Sequence, residues 1–477
     1  MYTVPSSASG AENDEAQIHT SYVWAIAFVA ALGGLLFGYD WVVIGGAKPF
    51  YEAYFHLDSG RLIGWANSCA LLGCLLGSFL AGGLNERLGR RQTLLAAGIL
   101  FAVSSIFTGW SHAFTTFVAW RIVGGVAIGL ASNVSPTYIA EIAPARWRGR
   151  LVSLNQLAIV CGIMAAQIVN WLIAQRVPEQ ATKAYIAGSW NGHYGWRWMF
   201  TAVALPAIVF VACALFIPES PRWLAAKARN GQASQVLARI GGERYARKEL
   251  LEISESLRID SEVRASWRDL LTPRLRRVLL IGVGLAVLQQ WSGINILFNY
   301  AEEVYQSAGY GISAVLFNII VTGAVNLIFT LLAMAFVDRL GRRVLLLVGC
   351  CGVGAADLLA AFAYHAHLQG AFVLALTLCA IAFYAVSLAP VVWVVIAEIF
   401  PNRLRSVGVS AAVASLWAAS FLLTFSFPLL IRFTSMAGTF LLYSGICFLG
   451  GLLVYRFVPE TKGKSLEELE IVLKTHS

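Results

Sequence analysis

Long apolar runs, separated by short polar stretches, recur along this chain and constrain its fold more than any other feature. A run of about 20 apolar residues is long enough to cross a lipid bilayer as a helix. Of the 477 residues, 58% are hydrophobic and only 13% are charged, whereas about a quarter of the residues in a soluble domain are charged. The pattern therefore predicts an all-α polytopic membrane protein.

Twelve predicted spans divide into two groups of six. The first six cover residues 22–46, 62–84, 93–110, 117–139, 152–175 and 198–217, and the last six cover 278–306, 313–337, 344–364, 371–397, 407–430 and 437–457. The predicted domains are a tail at 1–20, a six-helix half at 21–217, linker helices at 218–277, a second six-helix half at 278–457 and a C-terminal helix and tail at 458–477.

Three motifs occur once in each group, at matching places. ERLGRR at 86–91 follows span two, and DRLGRR at 338–343 follows span eight. EIAP at 141–144 follows span four, and EIFP at 398–401 follows span ten. PESPR at 218–222 ends span six, and PETKG at 459–463 ends span twelve. The repeats indicate a duplicated chain, and two such halves suggest a transporter whose substrate binds at mid-membrane depth where the halves meet.

The positions of the basic residues predict the orientation of the chain. If the linker is cytoplasmic, 27 of the 35 lysines and arginines lie on its side of the membrane, as the enrichment of basic residues in cytoplasmic loops requires. Both termini are then cytoplasmic. The net charge of +9 is explained by this topology and does not indicate nucleic-acid binding.

The repeated motifs place carboxylates and arginines at the cytoplasmic ends of the spans. We predict that they lock the two halves together on that side and release when the halves part. The alternative is that they only anchor helix ends at the lipid headgroups. The predicted gate residues are Glu86, Arg87, Arg91, Glu141, Arg148, Asp338, Arg339, Arg343, Glu398 and Arg405.

Charged residues inside spans are candidates for function because they are costly in a membrane. Asp40 lies in span one and Arg121 in span four. Burial raises the pKa of a carboxyl group and a nearby guanidinium lowers it, so a pair that approaches and separates would release and bind a proton. A static ion pair is the alternative. Asp357 in span nine has no evident partner, and a helix-end or water-exposed position is expected for it.

Three amides, Gln289, Gln290 and Asn295, lie within span seven. They could tie helices together, or they could face a water-filled cavity and bind a hydroxyl-rich solute. On an ideal helix Gln289 and Asn295 point about 120° apart, so we expect Gly293 to break the helix. Bends are also expected at four prolines within spans: Pro136, Pro206, Pro390 and Pro428.

These motifs together resemble the sugar porter family of the major facilitator superfamily, from about residue 22 to 473. The most specific parts are RIVGGVAIGLASNVSPTYIAE at 121–141, PESPRWL at 218–224, QQWSGIN at 289–295 and PETKGKSLEELE at 459–470. The resemblance implies the major facilitator fold, with twelve transmembrane helices in two six-helix halves, cytoplasmic linker helices and transport by alternating access.

The resemblance also implies roles by position. Asp40 matches the carboxylate of the proton-coupled members, where facilitators usually carry asparagine, and Arg121 matches its partner. The residues implied to bind sugar are Phe37, Gln156, Gln289, Gln290, Asn295, Asn326, Trp393 and Trp417.

The chain departs from the family pattern beside this site. Leu416 stands where a bacterial relative has glutamine, and Ser420 stands where asparagine is frequent. Losing the amide at Leu416 removes a partner for a sugar hydroxyl, which should shift the sugar preference. The sequence therefore does not name the sugar.

We predict a monomeric, proton-coupled symporter for a hexose or pentose in a bacterial inner membrane. Its expected partners are a monosaccharide, a proton and the lipid bilayer, with no nucleic acid, metal or cofactor. The alternatives are a facilitative uniporter, in which Asp40 is structural, and a non-transporting sugar sensor. An enzyme is not expected because the sequence has no metal-spaced histidine or cysteine cluster, phosphate-binding loop or nucleophile elbow.

Overall fold

The computed structural model describes residues 18–179, 181–262, 272–400 and 404–460, and most of this part of the chain is helical. In the first half, the helices of the spans are Thr20–Tyr54, Gly60–Arg87, Arg90–Gly109, Phe114–Ile142, Arg148–Ile173 and, for span six, Trp196–Thr201 with Ala204–Ala214. A 3-10 turn, Ala145–Trp147, precedes span five, and the short segments Lys183–Gly188 and Asn191–Gly195 precede span six.

In the second half, span seven is Pro273–Trp291 with Ile294–Asn299, followed by the short helix Ala301–Ser307. Spans eight to ten are Ile312–Leu340, Arg342–His365 and Ala371–Val386 with Leu388–Ile399. Spans eleven and twelve share the 53-residue stretch Arg405–Phe457, which Ser435 divides because its backbone is not helical (φ 73°, ψ 171°). The predicted all-α fold of twelve spans in two halves is confirmed.

The surface of the bundle is strongly apolar. Eleven helical segments within the described residues are long and apolar enough to cross a membrane, and the last of them contains the two spans that meet at Ser435. Large side chains such as Leu205 and Phe216 are 71% and 89% exposed. An apolar surface of this extent suits contact with lipid rather than with water.

Breaks in spans seven and ten occur close to the expected residues. Gly293 separates the two parts of span seven with φ +85°, a conformation that glycine adopts without the steric cost of a Cβ atom. Span ten breaks at Ser387, three residues before Pro390. Proline cannot donate a backbone hydrogen bond to the preceding turn, which explains why the helix restarts there. Pro136 and Pro428 instead lie inside continuous helices.

Two linker helices, Pro221–Ala226 and Asn230–Glu262, lie between the halves in sequence, and the second is interrupted at Gly241 and Gly242. We call the side of the bundle that carries them the linker side and the opposite side the distal side. The predicted terminal segments at 1–20 and 458–477 fall largely outside the described residues, as does the whole stretch 461–477.

The two halves meet along a seam formed by three pairs of spans. Span two packs against span eleven, span five against span eight, and span one against span seven. Exchanging the halves maps the first pair onto the second, as expected for repeats related by approximate two-fold symmetry. The backbones approach closely in the seam, since a Cβ atom added at Gly64 would lie 2.4 Å from the carbonyl oxygen of Phe425.

Candidate functional site

The carboxyl group of Asp40 and the guanidinium of Arg121 meet inside the first half. Nη1 of Arg121 lies 3.2 Å from Oδ2 and 3.3 Å from Oδ1 of Asp40. Asp40 is 2% exposed and Arg121 is 3% exposed. The Phe200 ring lies 5.4 Å from Cζ of Arg121. Buried charges of this kind need a partner, because an unpaired ion in an apolar interior is very costly.

The amides of span seven are brought together by the break at Gly293. Nδ2 of Asn295 donates a hydrogen bond to Oε1 of Gln290 across the break. The same nitrogen lies 3.3 Å from Oγ of Ser420 in span eleven. A continuous helix would point these two amides in different directions, so the break is what forms the cluster.

Gln289 makes its hydrogen bonds with the protein. Its Nε2 donates to the carbonyl oxygens of Leu388 and Ala389 at 3.0 and 3.2 Å. These carbonyls lie directly after the break in span ten. Trp291 makes a similar contact, from Nε1 to the carbonyl oxygen of Ala419 at 3.0 Å. Both contacts attach span seven to neighbouring helices. Gln289 and Trp291 therefore agree with the alternative in which polar side chains hold membrane helices together.

An aromatic pair bridges the seam beside the amides. The rings of Phe37, in span one, and Trp417, in span eleven, lie 5.9 Å apart between centroids. Trp417 is 4% exposed, and its Nε1 has no hydrogen-bond partner in the described part of the chain. Indole N–H groups usually find a partner when buried. This donor is therefore available to a ligand held between the halves.

The remaining residues implied to bind sugar are Asn326, Gln156 and Trp393. Asn326 is 5% exposed and Gln156 is partly buried, near the middle of spans eight and five. Trp393 is 37% exposed. Among the described residues, none of these three side chains makes a hydrogen bond or a ring contact that ties it to the rest of the site.

Gln167 in span five is a polar group of the seam that sequence reasoning did not identify. It is 2% exposed, and neither its Nε2 nor its Oε1 has a partner among the described residues. A Cβ atom added at Gly323 of span eight would lie 1.8 Å from Oε1, so the amide points across the seam at a glycine. An amide within an apolar span was the available signal, and no motif singled it out.

The repeated motifs form the same arrangement on the linker side of both halves. The carboxylate of Glu219 accepts hydrogen bonds from the backbone N–H groups of Arg90 and Arg91, which begin span three, at 2.9 and 3.2 Å. Glu460 does the same for the first two residues of span nine, at 2.9 and 3.1 Å. A carboxylate stabilises a helix N-terminus because the free N–H groups carry partial positive charge.

Two of the predicted gate carboxylates, Glu141 and Glu398, pair with arginines of their own half that were not in the predicted gate set. Nη2 of Arg90 lies 2.8 Å from Oε1 of Glu141, and Nη2 of Arg342 lies 3.6 Å from Oε1 of Glu398. The equivalent positions of the two pairs follow from the duplication. A lock between the halves stays a prediction for a state in which they meet on the linker side.

Other predicted gate residues hold helix ends. The guanidinium groups of Arg91 and Arg343 donate to the backbone carbonyls of Leu215 and Tyr455, near the ends of spans six and twelve. The exposed members of the set are Glu86, Arg87 and Arg148. The side chains of Asp338, Arg339 and Arg405 are not among those that the structure describes.

Asp357 corrects an expectation. We expected it at a helix end or in contact with water. Instead it is 3% exposed and lies well inside the helix Arg342–His365. Its helix packs against span twelve, where the hydroxyl of Ser444 donates to the carbonyl oxygen of Gly354 at 2.7 Å. Whether Asp357 is buried depends on how its helix is rotated about its own axis. Small residues occur along this helix without a regular spacing, so the sequence does not show which face is buried.

Within the part of the chain that the structure describes, no three histidine, cysteine, aspartate or glutamate side chains form a group that could hold a metal ion. The cysteines in that part are free thiols. What the arrangement offers is a seam of polar and aromatic side chains between the halves, together with a buried carboxylate–guanidinium pair within the first half.

Comparison with known proteins gives the family. The family model described as "Sugar (and other) transporter" matches residues 26–473. The D-xylose-proton symporter of Escherichia coli (strain K12) is 36% identical, over 95% of this chain and 96% of that protein. The glucose transport protein of Synechocystis sp. is 37% identical, over 94% and 97%.

A solved structure agrees with the sequence relatives. The xylose transporter XylE from E. coli, in a partially occluded inward open conformation, superposes with a TM-score of 0.82 at 34% identity. The match covers 93% of this chain and 100% of that chain. Together with the duplicated twelve-span fold, these matches show that the chain is a multi-pass membrane protein of the sugar (and other) transporter family, within the major facilitator superfamily, and is a transporter and not an enzyme.

Proposed function

We propose that this protein is a proton-coupled monosaccharide symporter that works by alternating access. The observation that carries the proposal is the seam between the halves, which holds the Phe37–Trp417 pair and, among the described residues, two buried polar groups without partners, Nε1 of Trp417 and the amide of Gln167. Trp417 and Phe37 come from different halves, so a solute held there touches both. An alternation between two arrangements of the halves then moves the solute across the membrane.

The chemistry of the seam suits a sugar. Gln290, Asn295 and Ser420 present amide and hydroxyl groups, which can both donate and accept hydrogen bonds as sugar hydroxyls do. The faces of Phe37 and Trp417 suit the C–H groups of a sugar ring. The names of the relatives, a D-xylose-proton symporter and a glucose transport protein, support a pentose or a hexose as the substrate.

Asp40 is the proposed proton carrier and Arg121 its partner. Asp40 lies on span one, as do Phe37 and Trp41, and the Trp41 ring lies 5.8 Å from that of Phe298 in span seven. Span one therefore connects the buried ion pair to the seam. A movement of span one during transport would change the distance between Asp40 and Arg121, and with it the affinity for a proton.

Basic residues support the orientation that we propose. They concentrate on the linker side, so that side faces the cytoplasm of a bacterium, both termini are cytoplasmic and the distal side faces out. The protein acts as a monomer in the inner membrane.

Purified protein in proteoliposomes tests the proposal. Labelled hexoses and pentoses are supplied with and without an inward proton gradient. The symporter accumulates its sugar above the external concentration, and a protonophore abolishes this accumulation. A uniporter equilibrates the sugar and never exceeds the external concentration. A sensor that does not transport shows no counterflow of labelled sugar. Equilibration without accumulation, or the absence of counterflow, would each contradict proton-coupled symport.

A further inference from the structure

Lys48, near the distal end of span one, is buried among three carboxylates. Its Nζ lies 3.0 Å from Oε1 of Glu52, 3.3 Å from Oε2 of Glu302 and 2.5 Å from Oε1 of Glu303. Lys48 is 2% exposed. Glu52 belongs to the same helix, whereas Glu302 and Glu303 begin the short helix after span seven. Two of the three ion pairs therefore cross from one half to the other.

Three carboxylates surround the ammonium group. Nζ donates a hydrogen bond to Oε2 of Glu302 at 3.3 Å and forms ion pairs with Glu52 and Glu303. The Tyr300 ring lies 5.7 Å from Nζ and adds a cation–π contact. The positive charge of Lys48 is therefore surrounded by negative charge from both halves, and it holds these groups together.

The energetics of such a cluster favour a reversible contact over a permanent brace. Burying charges costs several kcal/mol per ion in desolvation, which the attraction between them repays only in part. When the halves separate, water hydrates the charges again and this cost is recovered. Closed and open states thus differ by a small free energy, as a switching interface requires.

Other contacts between the halves lie on the same side as Lys48. Arg432 of span eleven donates from Nη2 to the carbonyl oxygen of Asp58 at 3.0 Å. The backbone N–H of Val177 donates to Oγ of Ser313 at 3.0 Å. A Cβ atom at Gly45 would lie 2.3 Å from the carbonyl oxygen of Phe298. The halves are thus in contact on the distal side. On the linker side, the ion pairs Arg90–Glu141 and Arg342–Glu398 each lie within one half.

We propose that Lys48, Glu302 and Glu303 form an ionic latch that closes the distal side and breaks each time the protein opens in that direction. This inference rests on the proposed alternating access. The latch contributes to the balance between the state closed on the distal side and the state open there, so these three residues control access to the site although they lie outside it.

The double variant Glu302→Gln/Glu303→Gln tests the latch. It removes both charges that cross the seam and leaves Lys48 paired with Glu52. Spin labels at Arg61→Cys and Leu368→Cys, on the distal side of the first and second halves, report the opening by electron–electron distance measurement without sugar. The eight native cysteines are replaced by alanine in this background.

The matched control is Lys183→Met. Lys183 pairs with Asp58 at 3.2 Å, also on the distal side, but both residues belong to the first half. We expect the double variant to raise the ratio of long-distance to short-distance states about tenfold, which corresponds to ~1.4 kcal/mol, and the control to match the parent. The single variant Glu303→Gln shifts the ratio less, in the same direction, and decides the matter if the double variant does not fold.

An unchanged distance distribution in the glutamine variants overturns the latch, as does an equal shift in Lys183→Met. Sugar counterflow on the same preparations separates this inference from the proposed function. If the distances shift but the parent does not transport sugar, the latch stands and the proposed function fails. If the parent transports sugar but the variants show no shift, the function stands and the latch fails.

Discussion

Arg121 contacts Asp40 through a single guanidinium nitrogen, although a guanidinium can hold a carboxylate with two parallel hydrogen bonds. Nη1 makes both contacts, at 3.2 and 3.3 Å, and Nε of Arg121 has no partner in the described part of the chain. The two residues lie on different helices of one half. A shift of span one against span four would change the distance between them, which is the movement that the proposed proton switch needs.

Replacing Asp40 with asparagine is expected to uncouple sugar movement from the proton. Asparagine keeps the size of the side chain and an oxygen that can accept from Arg121, but it cannot carry a proton. We expect Asp40→Asn to lose accumulation of sugar above the external concentration and to retain counterflow. Both are measured in proteoliposomes with an imposed pH gradient.

Asp58→Asn is the control for this substitution, because Asp58 is an exposed carboxylate of the same half. It should accumulate sugar as the parent does. Retained counterflow in Asp40→Asn shows that the variant is folded. Accumulation at neutral pH by Asp40→Asn would contradict its role as the proton carrier.

The sequence was sufficient to predict the break at Gly293, because two amides on one helix could not otherwise face the same solute. It was not sufficient to predict what Gln289 contacts. The carbonyls of Leu388 and Ala389 come from a break about a hundred residues later, and only the packing of spans seven and ten brings them near. The contacts of Lys48 with Glu302 and Glu303 depend in the same way on how two distant segments meet.

Asn295→Ala is expected to weaken sugar binding. The substitution removes an amide that bonds Gln290 and Ser420 and that we propose to bond the sugar. A net hydrogen bond contributes about 0.5–1.5 kcal/mol, so KM should rise by about two- to tenfold. Uptake kinetics at several sugar concentrations measure this change.

Two outcomes distinguish binding from helix attachment at Asn295. If the amide only ties helices together, Asn295→Ala lowers the temperature of unfolding and leaves KM unchanged. Ser415→Ala is the control, since the Ser415 hydroxyl donates to the carbonyl oxygen of Ala411 in its own helix at 2.9 Å. Its KM should match that of the parent.

Gly293→Ala is expected to destabilise the protein. Gly293 has φ +85°, and a Cβ atom there would lie 2.8 Å from Cδ2 of Tyr443. Holding a residue other than glycine in this conformation costs about 1–3 kcal/mol. Thermal unfolding in detergent should therefore occur several degrees below that of the parent.

Gly284→Ala is the matched control for Gly293. Gly284 lies in the helical part of the same span, and a Cβ atom there meets nothing within 4 Å. Alanine is favoured over glycine in a helix by about 1 kcal/mol, so this variant should be at least as stable as the parent. Equal stability of the two variants would show that the break tolerates a side chain.

The repeated motifs were a good guide to architecture and a weaker guide to pairing. Each motif recurs because each half builds the same helix turn, with Glu219 or Glu460 at the start of the next span. The sequence alone could not tell whether Glu141 would pair within its own half or across the seam. In the structure Glu141 pairs with Arg90 of its own half, and a contact across the seam stays a prediction for a state closed on the linker side.

Leu416→Gln is expected to change which sugar is preferred. Leu416 is 3% exposed and directly precedes Trp417 in the seam, so glutamine there adds an amide beside the proposed sugar. A hydrogen bond made with one sugar and not with another changes their ratio of kcat/KM by about two- to tenfold. Competition between labelled hexoses and pentoses measures the ratio.

Leu416→Met is the control, because a swap between apolar residues of similar volume costs less than about 1.5 kcal/mol and adds no hydrogen bond. A ratio that changes equally in both variants, or in neither, would mean that position 416 does not select the sugar.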